Sequence, residues 1–315
     1  MTYVLVLVVL ALAFPWGAAP VARRLARVLP PREACWALTG GAVLLAGGTV
    51  AALVGLFQVP FLAGLEQVPL SRVVELWPAA VPLSAMAGAA MLVQLVLLLW
   101  RSIRQRSLLR HAWESVDDGV SEGDVLILPG MGVDAFALPA HRDRGARVVI
   151  TSGMVRALEP GDREVLMAHE RAHLAGRHHV LSVIVDLAAM IHPGLGALRA
   201  PLAFHLERWA DEVAAAVVGN RRAAAAAIAR AALACAAPGR PGTKGYPLLS
   251  ATSGPVPQRI EALLLPEPAA PSGRVERTRA AALTGTVAGA ALAALALSYG
   301  LHEYVEYASG VVRGL

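Results

Sequence analysis

Charge is scarce in this chain of 315 residues: Asp, Glu, Lys and Arg together make up 16%, against ~25% in ordinary soluble domains. Aromatic residues are few, at 5%, and Lys244 is the only lysine. Cysteine is nearly missing. Cys35 and Cys235 lie far apart with no CxxC, which excludes a disulfide framework and a thiolate metal site. Low charge combined with high hydrophobicity excludes a disordered protein. No basic helix and no Lys/Arg run interleaved with aromatics occurs, so the net charge of +5 does not point to direct nucleic-acid binding. What abounds is apolar surface, at 56% of residues. The length would allow roughly two ordinary domains, but so much apolar surface points instead to a bilayer.

A spanning helix needs ~20 apolar residues. Four stretches qualify: Tyr3 to Val21, about Trp36 to Val59, Ala79 to Trp100, and Ala280 to Tyr299. The last is rich in Ala and Gly, and its Gly285-x-x-x-Gly289 suits close helix packing. The first reads as a helix rather than a signal peptide, because no basic residue precedes it and Arg23, Arg24 and Arg27 follow it. Arginine placement sets the direction. Arg23, Arg24, Arg27 and Arg32 follow the first stretch, Arg101, Arg104, Arg106 and Arg110 follow the third, and Arg274, Arg277 and Arg279 precede the fourth. The second-to-third loop holds only Arg72, and the tail only Arg313. The N-terminus is therefore expected outside, with residues 1–100 forming three transmembrane helices (about 3–21, 36–59 and 79–100). Residues 101–279 are expected as one cytoplasmic domain, residues 280–299 as a fourth helix, and residues 300–315 as a short extracytoplasmic tail.

Within the insert, Val125-Leu126-Ile127-Leu128, Phe136-Ala137-Leu138 and Arg147-Val148-Val149-Ile150-Thr151 read as strands bounded by Pro and Gly, with a hairpin turn over residues 141–145. From Asp162 onward the pattern is helical. Val180 to Met190 is strongly apolar but too short to span, and His192-Pro193-Gly194 breaks it, so a buried helix or one lying against the bilayer is expected. The alanine run at 223–227 belongs inside another helix. Residues 238–257 read as loop.

The sharpest chemical signal is His169-Glu170-Arg171-Ala172-His173. On a helix, His169 and His173 share a face, and two imidazoles so placed can hold one zinc ion. Glu170 is offset around the helix and can act as general base towards a metal-bound water. A third ligand comes from one of two places. His179 would complete HExxHxxGxxH, with Gly176 letting the helix turn. Glu207, on a separate helix, would complete a His2Glu set, with Asp211 on the same face able to accept the other N–H of a ligand histidine. Glu207 is favoured. The His179 spacing belongs to metzincins, mostly secreted soluble domains that also need a methionine turn, and Met190 lies inside an apolar run. His178 and His179 otherwise read as a solvated helix end.

These elements together resemble integral-membrane gluzincins. The His-Glu-x-x-His, the Glu-x-x-Ala-Asp of residues 207–211, the Ala-Phe-Ala of 135–137 and the Val-Val-Ile-Thr-Ser-Gly of 148–153 carry the resemblance, and Val256 to Leu263 looks like the downstream Arg-containing helix of such proteins. Two branches fit: the BlaR/MecR-type antibiotic-sensor transducers, and the HtpX and CAAX-prenyl-endopeptidase type. Three membrane helices, a cytoplasmic zinc domain and a fourth helix is the BlaR/MecR order, whereas the gap between His173 and Glu207 looks too short for the two spanning helices of the HtpX order. BlaR/MecR sensors carry a penicillin-binding-like domain after the fourth helix. The chain ends at Leu315, so only their proteolytic half is expected.

The resemblance implies a mainly α integral membrane protein with four transmembrane helices and a cytoplasmic α+β, gluzincin-like zinc metallopeptidase domain between helices three and four. It implies one Zn2+ per chain, held by His169, His173 and Glu207, with Glu170 catalytic and Asp211 behind the ligands. Phe136, Ala137 and Leu138 are the candidate edge strand for substrate, although Phe136 also reads as ordinary core. His205 and Arg208 are weaker candidates for oxyanion stabilisation and also read as solvent-facing. The expected activity is endopeptidase cleavage of a cytoplasmic protein, a transcription repressor or the chain itself, at a bacterial cytoplasmic membrane, with homo-oligomers allowed. The alternatives are an HtpX-like quality-control protease and, from another class, a catalytically inactive membrane scaffold or signalling protein.

Overall fold

The computed structural model describes residues 12–17, 20, 22–24, 26, 29–65, 67–130, 132–236 and 255–266, and scattered helical positions between 281 and 303. The first expected span, residues 3–21, lies mostly outside the described residues, as do the fourth, 280–299, the tail and the greater part of the 238–257 loop.

Among the described residues, two helices are long and apolar enough to cross a membrane. Helix α1 is Pro31–Phe57, and after the short helices α2 (Val59–Leu65) and α3 (Leu70–Leu76) comes α4, Ala80–Glu114. They contain the second and third expected spans. The apolar part of α4, residues 80–100, is about 31 Å long at 1.5 Å per residue, close to the ~30 Å thickness of a hydrocarbon core. Its Leu92, Val93, Leu95, Val96, Leu99 and Trp100 are exposed, and only 11% of its most apolar window is buried within the chain. A helix apolar all round, with so little of that surface covered, suits lipid rather than water.

The charged end of α4 leads into a small sheet of β1 (Val120–Glu122), β2 (Val125–Leu128), β3 (Ala135–Leu138) and β4 (Arg147–Thr151), in the order β1-β2-β4-β3. β2 and β4 are parallel, while β3 and β4 form an antiparallel hairpin. Both faces are covered, which is why the strands read as apolar runs rather than alternating ones. Phe136, Leu138 and Val149 pack on Trp113 and Val116 at the end of α4. Ala135 and Ile150 pack with Met154 and Leu166 on the other side. β1 is all exposed and has no apolar pattern, so nothing in the sequence announced it.

The remaining helices are α5 (Ser152–Ala157), α6 (Pro160–Ala175), α7 (His178–Ile191), a 3-10 turn (Pro193–Leu198), α8 (Arg199–Val218), α9 (Arg221–Ala236) and α10 (Val256–Leu264). α6 and α7 meet at a 52° bend. Arg177 makes it, with a left-handed φ of 49°. α7 then runs antiparallel to α4. Asp186 binds Arg101 and, at 2.6 Å, Arg199. Five residues on, the carbonyl of Ile191 accepts from Nε2 of Gln94 at 2.9 Å. The tip of the α7–α8 hairpin thus lies beside the apolar run of α4, not at its charged end. One apolar cluster joins Leu38 and Leu45 of α1, Leu181 and Val185 of α7, Leu195 and Leu198, and Leu202 and Leu206 of α8. Packing therefore does not divide at residue 101 as the sequence order suggested. α7 is the expected buried apolar helix, and it packs against a candidate span.

Asp186 is the polar tie between α4 and this hairpin. Asp186→Ala should lower stability by about 1.5–3 kcal/mol, the usual worth of hydrogen bonds to a charged group. Thermal unfolding of the detergent-solubilised chain, compared with wild type, would measure it.

Candidate metal centre

α6 begins at Pro160, whose missing N–H costs nothing at the first helical position. Asp162 in its first turn receives Nε of Arg230 from α9 at 2.5 Å. Val165 and Ala168 pack against Ala214, Ala224 and Ile228, fixing α6 against α8 and α9. On α6, His169 and His173 are one turn apart. Their Nε2 atoms lie 3.1 Å from each other, and Glu207 of α8 places Oε2 3.5 Å from Nε2 of His169 and Oε1 3.5 Å from Nε2 of His173. Among the described residues these three form the one cluster whose donor atoms all fall within 4.8 Å. Ligands at ~2.0–2.1 Å in a tetrahedron stand about 3.3 Å apart. The two imidazole nitrogens are near that spacing and the carboxylate faces both of them, so the residues present fit a tetrahedral metal ion.

Behind the donors is a buried network of charge. Asp211, one helical turn after Glu207, lies 3.0 Å from Nδ1 of His169. Arg259 of α10, 1% exposed, donates from Nε and Nη2 to the two oxygens of Asp211 at 2.8 and 2.7 Å. Its Nη1 lies 2.8 Å from Oε2 of Glu207. This fork geometry suits arginine and no other cation. α10 is itself held in place by Arg221, which donates to the carbonyls of Ala262 and Leu263, and by the burial of Leu263. Burial disfavours a charged His169, yet the carboxylates of Asp211 and Glu207 outweigh it and raise the imidazole to about 10. The pocket thus favours additional positive charge at the position where the donors converge.

Glu170 is fully buried and neither carboxylate oxygen has a hydrogen-bond partner. Burial pushes its carboxyl up to about 8. A carboxyl poised near neutrality beside a metal-binding triad has the property wanted of a general acid and base.

His178 takes a different place from the one expected. It is 3% exposed, and its Nδ1 lies 2.8 Å from Nδ1 of His173. Burial lowers its pKa to about 3, so it stays neutral and able to accept a hydrogen bond. If His173 uses Nε2 for a metal, its Nδ1–H donates to His178, fixing the tautomer of both rings. The other side of His178 packs on Trp209, 4.5 Å between ring centres, and Trp209 carries the guanidinium of Arg32 at 5.7 Å. Gly176 makes room for this ring: a Cβ there would lie 2.4 Å from Nε2 of His178. This corrects the alternative ligand set. Gly176 has an ordinary φ of −76° and Arg177 makes the turn. His179, half-exposed, is not among the converging donors.

The other candidates are placed as follows. β3 is one of the two edge strands of the sheet, but the side chains of Phe136 and Leu138 are core. His205 is buried, with its ring 5.3 Å from that of Phe204. Nη2 of Arg208 lies 4.0 Å from Glu212. On α8 these two residues project about 200° and 100° around the axis from Glu207, and no contact places either against the triad.

Residues 120–206 match the model of peptidase family M48. No curated protein and no solved structure matches the chain. The matched segment covers the sheet, α6 and α7, and stops one residue before Glu207. It supports a metallopeptidase.

Replacing Arg259 by Leu should cost about 3–5 kcal/mol, because it leaves two buried carboxylates without their cation; denaturation of the metal-free chain would read it. Gly176→Ala and His178→Phe should each weaken metal binding by about 10–100-fold, measured by competition with a chromophoric chelator.

Proposed function

We propose that the chain is a membrane-anchored, zinc-dependent endopeptidase that hydrolyses a peptide bond in another protein. The observation that carries this is the convergence of His169, His173 and Glu207 beside a buried, unpartnered Glu170. Zinc is the ion chosen because two imidazoles and one carboxylate, with a position left open, are its usual catalytic donor set. When bound there it would polarise a carbonyl and ease deprotonation of water. His169 and His173 hold their Nε2 atoms forward because Asp211 and His178 occupy their Nδ1 sides. Arg259 holds Glu207 and Asp211 in one plane of charge. Glu170 takes a proton from water on its carboxylate and delivers it to the departing amine, work worth about 10²–10⁴ in rate. β3, as an edge strand, would align an extended substrate segment by backbone pairing.

The finer reading is regulatory: cleavage of a cytoplasmic protein in the manner of BlaR/MecR-type transducers, with the arginine-rich flanks keeping residues 101–279 on the cytoplasmic side. A second reading, quality control of membrane proteins, draws on one feature. The apolar cluster of the helix bundle continues to Leu206, next to the ligand Glu207, so the centre stands at the head of the bundle.

Glu170→Gln should retain one metal per chain and lose peptide hydrolysis by about 10²–10⁴, whereas Glu207→Ala should lose both metal and hydrolysis. Metal content by atomic emission and cleavage of a fluorogenic protein substrate would check this, and hydrolysis unaffected by Glu207→Ala would overturn the assignment. Comparing protein N-termini in cells bearing wild type or Glu170→Gln separates the two readings. One new cleavage in a cytoplasmic regulator supports the first, and many in misfolded membrane proteins support the second.

A further inference from the structure

Where α4 leaves its apolar run, a pocket of about 430 Å³ opens between the helix and the β3–β4 turn, lined by Ile103, Arg106, Ser107, Arg110, His141 and Arg142. Residues 103, 106, 107 and 110 are spaced as one helix face. The turn opposite is held rigidly. His141 and Arg144 exchange two backbone hydrogen bonds at 3.0 Å, Arg142 sits at a left-handed φ of 52°, and Arg144 is tied to Asp117 at 2.6 Å over the ring of Trp113. Arg144 is thereby neutralised. The pocket arginines are not. Among the described residues Arg106 and Arg142 make no ion pair, and Arg110 meets only the exposed Glu114 at 3.6 Å. Among the described residues no acidic side chain lines the pocket, and Nε2 of His141 is shut from water with no partner. Two guanidinium groups without an ion pair, and a third that meets one exposed carboxylate at 3.6 Å, held around one cavity cost electrostatic energy unless an anion enters it.

The position of the pocket says which anion. Arg106 is six residues beyond Trp100, about 9 Å along the axis, and the headgroup layer extends roughly 5–8 Å beyond the hydrocarbon on each side. α4 runs out of its apolar segment in its N-to-C direction, and helix side chains tilt towards the N-terminus. The guanidinium group of Arg106 therefore leans back to the level of the headgroups, and Arg110, one turn further on, bounds the pocket on the water side. Basic pockets beside spanning helices on the cytoplasmic side are recognised sites for anionic headgroups. We propose that this pocket binds the phosphate of an anionic glycerophospholipid headgroup. The proposal rests on α4 crossing the bilayer, and it adds a ligand site on the opposite side of the sheet from the metal centre.

The test uses the full chain reconstituted in phosphatidylcholine vesicles with trace spin-labelled phosphatidylglycerol or phosphatidylcholine, reading the motionally restricted lipid by electron paramagnetic resonance. Wild type should select phosphatidylglycerol, and the triple variant Arg106→Gln/Arg110→Gln/Arg142→Gln should reduce that selectivity by about fivefold or more, since each arginine near the surface contributes roughly that factor. The corresponding triple lysine variant should retain it. The control Arg23→Gln/Arg24→Gln removes charge from another flank and should retain it as well. An equal fall in the control, or no selectivity in wild type, would overturn the site. Displacement of the labelled lipid by millimolar inorganic phosphate would identify a free-phosphate site and overturn the lipid assignment. Release of wild type from the vesicles by alkaline carbonate would instead overturn the membrane crossing on which the proposal rests.

Discussion

Arg259 is the group on which the metal centre depends. It is a guanidinium almost without solvent contact, and it engages Asp211 with two nitrogens and Glu207 with the third. A buried ion is tolerated only when it is paired and its hydrogen bonds are made. Here the pairing also sets geometry. Asp211 is fixed to face Nδ1 of His169, Glu207 is fixed to face the two Nε2 atoms, and α10 is joined to α8. The charge count behind the donors leaves room for one more cation. A charge lost from this group of side chains would unbalance all of it, since none of its members is in contact with water.

The second constraint is that the centre and the apolar helices are not separate bodies. α7 and the start of α8 share one cluster with α1, and the tip of their hairpin hydrogen-bonds to Gln94 inside the apolar run of α4. Trp209 passes the same connection on in polar form, from Arg32 at the start of α1 to His178 and so to His173. A shift of α1 relative to α8 would be felt at a ligand ring through three successive contacts.

Much of this was readable in the residues. Two imidazoles four apart on a helix must share a face, and Glu207 and Asp211 repeat that spacing, so each pair was legible from periodicity, while the choice of Glu207 over His179 rested on resemblance. The three longer strands announced themselves by short apolar runs bounded by Pro and Gly, the last of them β-branched. What could not be read depended on contacts distant in sequence. The helix of Arg259 could be likened to a familiar element, but that its guanidinium would fork onto Asp211, 48 positions earlier, is a tertiary fact. His178 and His179 are identical in type, and only the left-handed turn at Arg177 decides which ring meets His173. Gly176 invited an explanation by backbone freedom, whereas the structure uses its missing side chain as space. The sequence order also suggested a clean domain boundary at residue 101, inside what is α4, because a 14-residue apolar helix carries no signal of the partner it will pack on.

The hairpin has a consequence for the order in which the protein is made. His169 and His173 leave the ribosome first, Glu207 follows after the whole of α7 and the 3-10 turn, and Arg259 comes later still. In the folded chain α7 and the 3-10 turn lie against α1 and α4. The donor set therefore closes only once the hairpin has docked on helices synthesised before it, and its charge is balanced only when α10 arrives. A donor set built this way is complete only at the last step of the chain's own assembly.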